Sequence, residues 1–211
     1  AIKHGISLIE SGAKILDIGG ESTRPGGNPV SQKEEIKRVL PVLEGLLGRG
    51  ALISIDTRRV EVMRISLAAG AAIINDINAL CNIKSIETIR DSGASVILMH
   101  MQGQPKTMQL DPRYRHAPYE VAKYLAERVA ECERLGLSRD KLAVDPGIGF
   151  GKSDAHNFAI LNSLTMLHGI RVPVVLGVSR KSFIGRSVGA NRTEERLPGT
   201  IAATLVAIDQ G

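Results

Sequence analysis

Six short apolar segments, each followed by polar or charged residues, constrain the fold of this chain more than any other feature. These segments are predicted β-strands, and they alternate with segments whose apolar residues recur at helical spacing. Strict alternation of strands and helices indicates a parallel sheet with helices packed on it. The predicted strands are residues 14–18, 52–55, 72–74, 95–99, 142–144 and 174–177. The seven predicted helices are residues 1–11, 31–43, 60–69, 83–91, 119–135, 155–167 and 199–210.

Two α/β architectures are compatible with this alternation. An open doubly wound sheet collects its ligand site at the one crevice where the strand order reverses. Here all six predicted strands end in polar or charged residues, and a closed barrel brings every such end to one mouth. We therefore predict a TIM (β/α)8 barrel. Such barrels have about 250 residues, so we expect residues 1–211 to form a single barrel domain that is incomplete at both ends, with six of the eight strands and seven helices.

Charge and cysteine content narrow the class of function. The net charge is +5, but no basic run is interleaved with aromatic residues, so small anionic substrates are a better inference than nucleic acid. Cys81 and Cys132 lie far apart without the spacing of metal ligands. No apolar run is long enough to span a membrane, and no segment of residues 1–211 has the pattern of a signal peptide. We expect a cytoplasmic protein that contacts neither nucleic acid nor membrane.

The segment after the fifth predicted strand, Asp145–Lys152 (DPGIGFGK), is rich in glycine. A phosphate-binding P-loop would require glycine where Pro146 stands, and a dinucleotide-binding fingerprint would require glycine at Lys152. Both motifs therefore fail by one residue. Taken alone, the segment fits a ligand-binding loop and an ordinary strand-to-helix turn equally well.

Six motifs in the same order as in one enzyme family resolve this ambiguity. They are GGESTRPG (residues 19–26), SIDT (54–57), INDI (74–77), MHMQG (99–103), DPGIGFGK (145–152) and GVSRKSFIG (177–185). Across essentially its whole length the chain resembles dihydropteroate synthase. The resemblance implies a transferase that condenses (7,8-dihydropterin-6-yl)methyl diphosphate with p-aminobenzoate. It also implies release of diphosphate, a magnesium ion (Mg2+) on that diphosphate and a homodimer.

The chemistry of a pterin fits four residues at the ends of four predicted strands. Two parallel N–H donors on one pterin edge suit a single carboxylate, which we assign to Asp145. Asn75 offers an amide and Lys181 a cationic donor to the remaining ring atoms. Asp56 can accept from another ring N–H and stabilise positive charge that develops as diphosphate leaves. We therefore predict Asp56, Asp145 and Lys181 as the catalytic residues.

The resemblance implies further contacts. It assigns Thr23, Asp56, Asn75, Asp145 and Lys181 to the pterin diphosphate, Phe150 to the pterin slot, and Arg24, Pro25 and Ser182 to p-aminobenzoate. In the family, an Asn that helps to bind the metal would precede Ala1, and an Arg and a His near the diphosphate would follow Gly211. No metal ligand is therefore expected within this sequence.

Several polar residues have a simpler structural explanation. Asp76 fits a strand-end turn, and His100 fits a structural side chain satisfied by nearby backbone. His116 and Lys152 are predicted to be surface groups. Arg180 should point away from Lys181, because adjacent residues near a strand end face opposite sides. The methionines at positions 99, 101 and 108 are predicted to be packing residues.

Two other functions remain compatible with the residues. A methyltetrahydrofolate-dependent corrinoid methyltransferase has a similar pterin-binding barrel, but lacks the SRKS run (179–182) and the ESTRPG loop (21–26) found here. A non-catalytic pterin-binding module would bind the pterin diphosphate and yield no product.

Overall fold

A computed structural model describes residues 1–22 and 27–211 of the chain. Its centre is a parallel sheet of five strands, which follow one another in space in the order of the sequence. The strands are β1 (Ile15–Gly19), β2 (Leu52–Asp56), β3 (Ile73–Asp76), β4 (Ser95–Met99) and β5 (Leu142–Asp145). Since the order never reverses, the sheet lacks the switch point of a doubly wound fold and has the sequential order of a barrel.

The sixth predicted strand, residues 174–177, is present only as a single bridge between Val144 and Val174. The amide of Val144 donates to the Pro173 carbonyl at 2.9 Å, and the amide of Val175 donates to the Val144 carbonyl at 2.8 Å. Beyond Asp145 the chain turns at Gly147, whose φ is +66°, so residues 176–177 have no extended partner to pair with. The prediction of six strands is therefore wrong for the part of the chain described, which has five strands and one bridge.

Eight α-helices occur in the described ranges, one more than predicted. They are α1 (Ile2–Glu10), α2 (Gln32–Leu46), α3 (Val60–Ala68), α4 (Ile83–Ser92), α5 (Ala117–Arg134), α6 (Asp154–Leu161), α7 (Ser182–Val188) and α8 (Leu197–Asp209). Short 3-10 helices cover Arg139–Lys141, Leu164–Ile170 and Glu194–Arg196. The predicted helix 155–167 is thus split into α6 and a 3-10 helix, and α7 lies in a part of the chain where no helix was predicted.

Side-chain hydrogen bonds fix where several helices begin. The hydroxyl oxygen of Ser31, the residue at which the predicted helix 31–43 begins, accepts from the amide of Glu34 at 3.2 Å and caps α2. The hydroxyl oxygen of Ser153 accepts from the amide of His156, whose ring nitrogen in turn accepts from the Ser153 amide. This reciprocal cap starts α6 directly after the glycine-rich segment.

The two faces of the sheet differ in chemistry. Alternate strand residues pack against the helices in one apolar core, among them Leu16, Ile53, Ile55, Ile74, Val96, Leu98, Leu142 and Val144. Because side chains in a strand alternate between faces, the intervening residues point away from that core. They include Asp17, Asp56, Asn75 and Asp145, so these four polar residues share one face of the sheet.

The helices supply the other half of the core. Leu43 and Leu46 of α2 and Leu125 and Val129 of α5 are all almost fully buried. Within residues 1–22 and 27–211, no helix combines the length and the apolar character that crossing a bilayer requires.

Candidate active site

A row of three aligned residues forms the first part of the site. Gly19 of β1 pairs with Asp56 of β2, which pairs with Asn75 of β3. A Cβ atom at Gly19 would lie 3.4 Å from Oδ2 of Asp56, so this carboxylate lies against the glycine. The other oxygen of Asp56, Oδ1, is buried and has no hydrogen-bond partner among the described residues.

The pKa of Asp56 is raised to about 7. Burial is the largest cause, and the neighbouring carboxylates of Asp17 and Asp76 add to it. A carboxyl group in this state exchanges its proton near neutral pH and has an oxygen free to accept from a ligand. This environment suits the predicted role of Asp56 beside a heterocycle that develops positive charge.

Asn75 is held by a residue that the sequence analysis did not select. Its side-chain nitrogen Nδ2 donates to Oδ2 of Asp17 at 2.9 Å, while its oxygen Oδ1 is buried without a described partner. Asp17 lies inside β1 rather than at its end, so the rule that polar strand ends form the site did not identify it. The sequence feature that could have identified Asp17 is its position two residues before Gly19, which places its carboxylate on the same face of β1.

Asp145 ends β5 and is buried. Its Oδ1 atom accepts from the amide of Gly147 at 2.7 Å. Burial raises the pKa of Asp145, whereas the Lys181 ammonium and the Gly147 amide act in the opposite direction. The carboxylate is therefore held in place by its own loop, with a cation nearby.

Lys181 and Phe150 complete this second part of the site. The Lys181 ammonium donates to the carbonyl of Ile148 and lies 4.9 Å from the centre of the Phe150 ring. A Cβ atom at Gly177 would lie 3.8 Å from Lys181 Nζ and 4.0 Å from Asp145 Oδ2. Burial lowers the pKa of Lys181, and Asp145 opposes this shift. The structure thus brings Asp145, Phe150 and Lys181 together, as the sequence predicted.

The glycines of the Asp145–Lys152 segment allow it to approach the residues after β4. A Cβ atom at Gly147 would overlap the carbonyl oxygen of His100, and one at Gly151 would overlap the carbonyl oxygen of Gln102. Both glycines also have positive φ values, +66° and +60°. The segment is therefore a loop packed backbone to backbone against its neighbour, which fixes the position of Phe150.

Lys152 is buried, and its prediction as a surface group is wrong. Only 2% of the residue is exposed, and its ammonium lies 2.9 Å from Nδ1 of His100 and 2.9 Å from the carbonyl oxygen of Phe150. Burial lowers the pKa of Lys152 to about 7 and that of His100 to about 3. His100 is structural, as predicted, but its ring nitrogen pairs with a lysine rather than with backbone.

Three of the predicted contacts, Thr23, Arg24 and Pro25, lie outside the described residues. On either side of them, Glu21 accepts from Arg58 and Arg59 at 2.8 Å each, and Arg59 also donates to the Val30 carbonyl. Arg59 further pairs with the buried Glu35 of α2. These bonds tie Glu21 and Val30 to the residues that follow β2, next to Asp56.

Ser182, predicted to contact p-aminobenzoate, is the exposed first residue of α7. It follows Lys181 directly, so α7 positions both residues. Arg180 is exposed, adopts a positive φ of +51°, and uses its backbone amide to donate to Thr200 Oγ1 at 2.8 Å.

Asp76, His116 and two methionines have the structural roles that the sequence predicted for them. Asp76 accepts from the amides of Asn78 and Leu80 at 2.8 and 2.9 Å, so it forms the predicted turn. His116 is exposed and caps α5, where its Nδ1 accepts from the Tyr119 amide. Met99 and Met108 are buried packing residues.

Comparisons with known proteins agree with this geometry. A family model described as "Pterin binding enzyme" matches residues 1–211. The dihydropteroate synthase of Escherichia coli strain K12 is 45% identical over 212 residues, which cover 100% of this chain and 75% of that protein. The chain belongs to the dihydropteroate synthase family.

Solved structures of the family have the same fold. Dihydropteroate synthase from Xanthomonas albilineans with 4-aminobenzoic acid is 43% identical, with a TM-score of 0.94 over 100% of this chain and 75% of that one. A second Xanthomonas albilineans structure, in complex with 7,8-dihydropteroate, gives a TM-score of 0.89 at 39% identity, with the same coverage. The predicted family, the TIM-barrel fold and the assignment as an enzyme are therefore confirmed.

Proposed function

We propose that this chain condenses (7,8-dihydropterin-6-yl)methyl diphosphate with p-aminobenzoate to give 7,8-dihydropteroate and diphosphate, a step of folate biosynthesis. The observation that carries the proposal is the convergence of Asp56, Asn75, Asp145 and Lys181 on one side of the sheet. Within this group lie buried oxygens of Asp56 and Asn75 that find no hydrogen-bond partner in residues 1–22 and 27–211. The ligands named for the Xanthomonas albilineans enzyme, 4-aminobenzoic acid and 7,8-dihydropteroate, are a substrate and the product of this reaction.

In this proposal the pterin ring binds against Phe150. The Asp145 carboxylate accepts two parallel N–H bonds from the pterin edge, and the Gly147 amide keeps that carboxylate oriented. Lys181 donates to a ring acceptor, since its ammonium already lies beside Asp145 and over the Phe150 ring. Asn75 and Asp56 offer acceptor oxygens to the remaining N–H groups.

The reaction requires no protein nucleophile. The amine nitrogen of p-aminobenzoate forms a bond to the methylene carbon of the pterin, the bond between that carbon and the diphosphate oxygen breaks, and the amine loses a proton. Positive charge develops in the pterin as diphosphate leaves, and the Asp56 carboxylate stabilises it electrostatically. The remaining acceleration comes from binding both substrates with the amine nitrogen aligned on the methylene carbon, opposite the diphosphate oxygen that leaves.

p-Aminobenzoate is assigned to Arg24, Pro25 and Ser182. Ser182 is adjacent to Lys181 at the start of α7, so a carboxylate held there would lie close to the pterin site. A hydroxyl and a guanidinium are suitable partners for that carboxylate.

The decisive experiment is incorporation of labelled p-aminobenzoate into dihydropteroate by the purified chain, with the pterin diphosphate and magnesium supplied. Product that disappears in the Lys181→Ala variant supports the proposal. Pterin binding measured by calorimetry without any product would contradict it and favour a non-catalytic pterin-binding module. Methyl transfer from methyltetrahydrofolate to a corrinoid would favour the methyltransferase instead.

Magnesium remains part of the proposal as a partner of the diphosphate. In the ranges 1–22 and 27–211, no three or more His, Cys, Asp or Glu side chains group in a way that could hold a metal. The described residues therefore do not fit a protein-held ion, and no step is assigned to magnesium. Mg2+ often binds mainly through substrate phosphates and retains several waters. Product formation with and without EDTA tests this expectation.

A homodimer is the proposed assembly. Helix α8 carries apolar side chains that are largely exposed, including Ile201 (51%), Leu205 (60%) and Ile208 (69%). Their spacing of four and three residues places them on one face of the helix, which a second copy of the chain could cover. Sedimentation equilibrium should give twice the mass of the chain, and Leu205→Lys should shift it toward the monomer. A monomeric wild-type chain at micromolar concentration would contradict the dimer.

A further inference from the structure

We infer that Asp17 is a positioning residue that orients the Asn75 amide so that its oxygen faces the substrate. This inference rests on the proposed function and extends it to a residue outside the set of predicted contacts. It concerns the hydrogen-bonding specificity of the pterin site.

The backbone places the two side chains together. Asp17 and Gly19 lie on the same face of β1, and Gly19 begins the aligned row that leads through Asp56 to Asn75. Nδ2 of Asn75 reaches across to Oδ2 of Asp17 at 2.9 Å. Gly19 has no side chain, so the Asp56 carboxylate lies against β1 at that position, while Asn75 contacts β1 through Asp17.

The chemistry of the pair fixes the orientation of the amide. An ionised carboxylate has no proton to donate, so it can only accept. The Asn75 side chain must therefore turn its NH2 group toward Asp17, which leaves its carbonyl oxygen on the other side. A neutral partner, such as an amide or a hydroxyl, could both donate and accept and would permit the flipped orientation.

The oxygen oriented in this way has no partner among the described residues. Oδ1 of Asn75 is buried, as is Oδ1 of Asp56 in the neighbouring strand, which likewise has no partner in the ranges described. Buried polar atoms are almost always hydrogen-bonded, so two neighbouring acceptors to which the described part of the chain supplies no donor indicate a ligand with N–H groups. An N–H edge of a flat heterocycle has this character, and a flipped Asn75 would meet it with an NH2 group instead.

A purely structural role for Asp17 is the competing explanation, in which the bond only ties β1 to β3. The two explanations differ for an exchanged pair, Asp17→Asn combined with Asn75→Asp. There position 17 carries the amide and donates, while position 75 carries the carboxylate and retains an acceptor oxygen for the substrate. The exchange keeps the hydrogen bond, the formal charge and the acceptor, whereas Asp17→Asn alone removes the constraint on orientation.

Steady-state kinetics with both substrates tests the inference. Asp17→Asn should raise the KM for the pterin diphosphate about tenfold or more, the effect of one mispaired buried hydrogen bond, with the KM for p-aminobenzoate within about twofold. The exchanged pair should recover most of the pterin KM. Asp140→Asn, which changes an exposed carboxylate just before the amino end of β5, is the matched control and should leave both KM values unchanged.

An unchanged pterin KM in Asp17→Asn, or an exchanged pair no better than the single variant, would overturn the inference. Partial unfolding does not imitate the expected result, because it lowers turnover per chain and leaves both KM values in place. If Asp17→Asn gives no folded protein, Asp17→Ser replaces it as the test. The serine hydroxyl is also neutral and also allows the Asn75 amide to adopt either orientation. Absence of product from the wild-type chain would instead contradict the proposed function, and calorimetric titration with the pterin diphosphate would still compare the variants.

Discussion

The ammonium nitrogen of Lys152 lies 2.9 Å from Nδ1 of His100, and both residues are buried beneath the glycine-rich loop. The same ammonium donates to the carbonyls of Phe150 and His100 at 2.9 and 3.3 Å. All three acceptors are neutral, so within the part of the chain that the structure describes the lysine has hydrogen bonds but no directly bonded carboxylate. Lys152 thus links the end of β4 to the loop that carries Phe150, at the cost of burying a charge.

The pair makes stability depend on pH. Burial lowers the pKa of Lys152 to about 7, below that of a free lysine, about 10.4. Between those values the unfolded chain binds the proton more strongly, so the contribution of Lys152 to the free energy of unfolding increases as pH rises through this range. The same reasoning applies to His100 between its folded pKa of about 3 and its ordinary value of about 6.5.

Urea unfolding of the wild type and Lys152→Met at pH 7, 8 and 9 measures this effect. We expect the stability of the wild type relative to the variant to increase with pH, by at most about 1.4 kcal/mol per unit. Lys123→Met, which changes an exposed lysine on α5, should give a difference that varies much less with pH. A constant difference for Lys152→Met would mean that Lys152 is not buried in solution.

The contribution of Asp56 to the free energy of unfolding should depend on pH in the opposite direction. Its pKa is raised to about 7, so between about pH 4 and 7 the folded chain binds the proton more strongly than the unfolded chain. Its contribution to the free energy of unfolding therefore decreases as pH rises through this range. Asp56→Asn should be more stable than the wild type at pH 8, by about 1–3 kcal/mol, because the buried charge is removed. Unfolding of both proteins at pH 5 and pH 8 tests the sign.

The same residue should set the acid limb of the activity profile. If ionised Asp56 stabilises the developing positive charge, kcat/KM for the pterin diphosphate should rise as pH increases through about 7. Asp56→Asn should lower kcat/KM and flatten this limb. A limb that persists unchanged in the variant would assign the titration to another group.

The sequence predicted which strand-end residues lie together because parallel strands bring their carboxyl ends to one edge of the sheet. Asp56, Asn75 and Asp145 are strand-end residues, and they converge as that rule requires. The strands themselves were located to within about two residues because their apolar runs are short and well bounded. The exception is the run 174–177, which has β character but lacks a partner beyond Val144.

The residues that were missed depend on contacts distant in sequence. Lys152 stands between glycine and serine in a polar loop, and its burial arises from His100, fifty-two residues earlier. The role of Asp17 depends on Asn75, fifty-eight residues later in the chain. Helix α7 was not predicted because its first turn coincides with the GVSRKSFIG motif that follows the sixth predicted strand.

Asp145→Asn should weaken pterin binding while the chain still folds. Oδ1 of the native carboxylate accepts from the Gly147 amide at 2.7 Å, and an amide oxygen can keep that bond. The amide then presents NH2 where the pterin edge also donates, so pterin affinity should fall by about 1–3 kcal/mol. Titration calorimetry measures this loss, and Asp91→Asn is an exposed control that should bind normally. Unchanged affinity in Asp145→Asn would place the pterin edge elsewhere.

Gly147→Ala should disturb the site through a steric overlap. A second glycine with a similar φ but no such overlap with a described residue, Gly48, serves as the matched control. Gly147 has a φ of +66°, and an added Cβ atom would overlap the carbonyl oxygen of His100. Gly48 has a similar φ of +73°, but no atom of the described residues lies within 4 Å of its added Cβ. Both variants incur the cost of a left-handed conformation, about 1 kcal/mol, while only Gly147→Ala must move backbone away from His100.

We therefore expect Gly147→Ala to lose at least about 2 kcal/mol more stability than Gly48→Ala in urea unfolding. Because the Gly147 amide holds Asp145, and the loop carries Phe150, pterin affinity should fall in the same variant. Gly48→Ala, at the end of α2 and far from these residues in sequence, should bind the pterin as the wild type does. Equal stability of the two variants would mean that the loop does not pack against His100 as closely as the structure indicates.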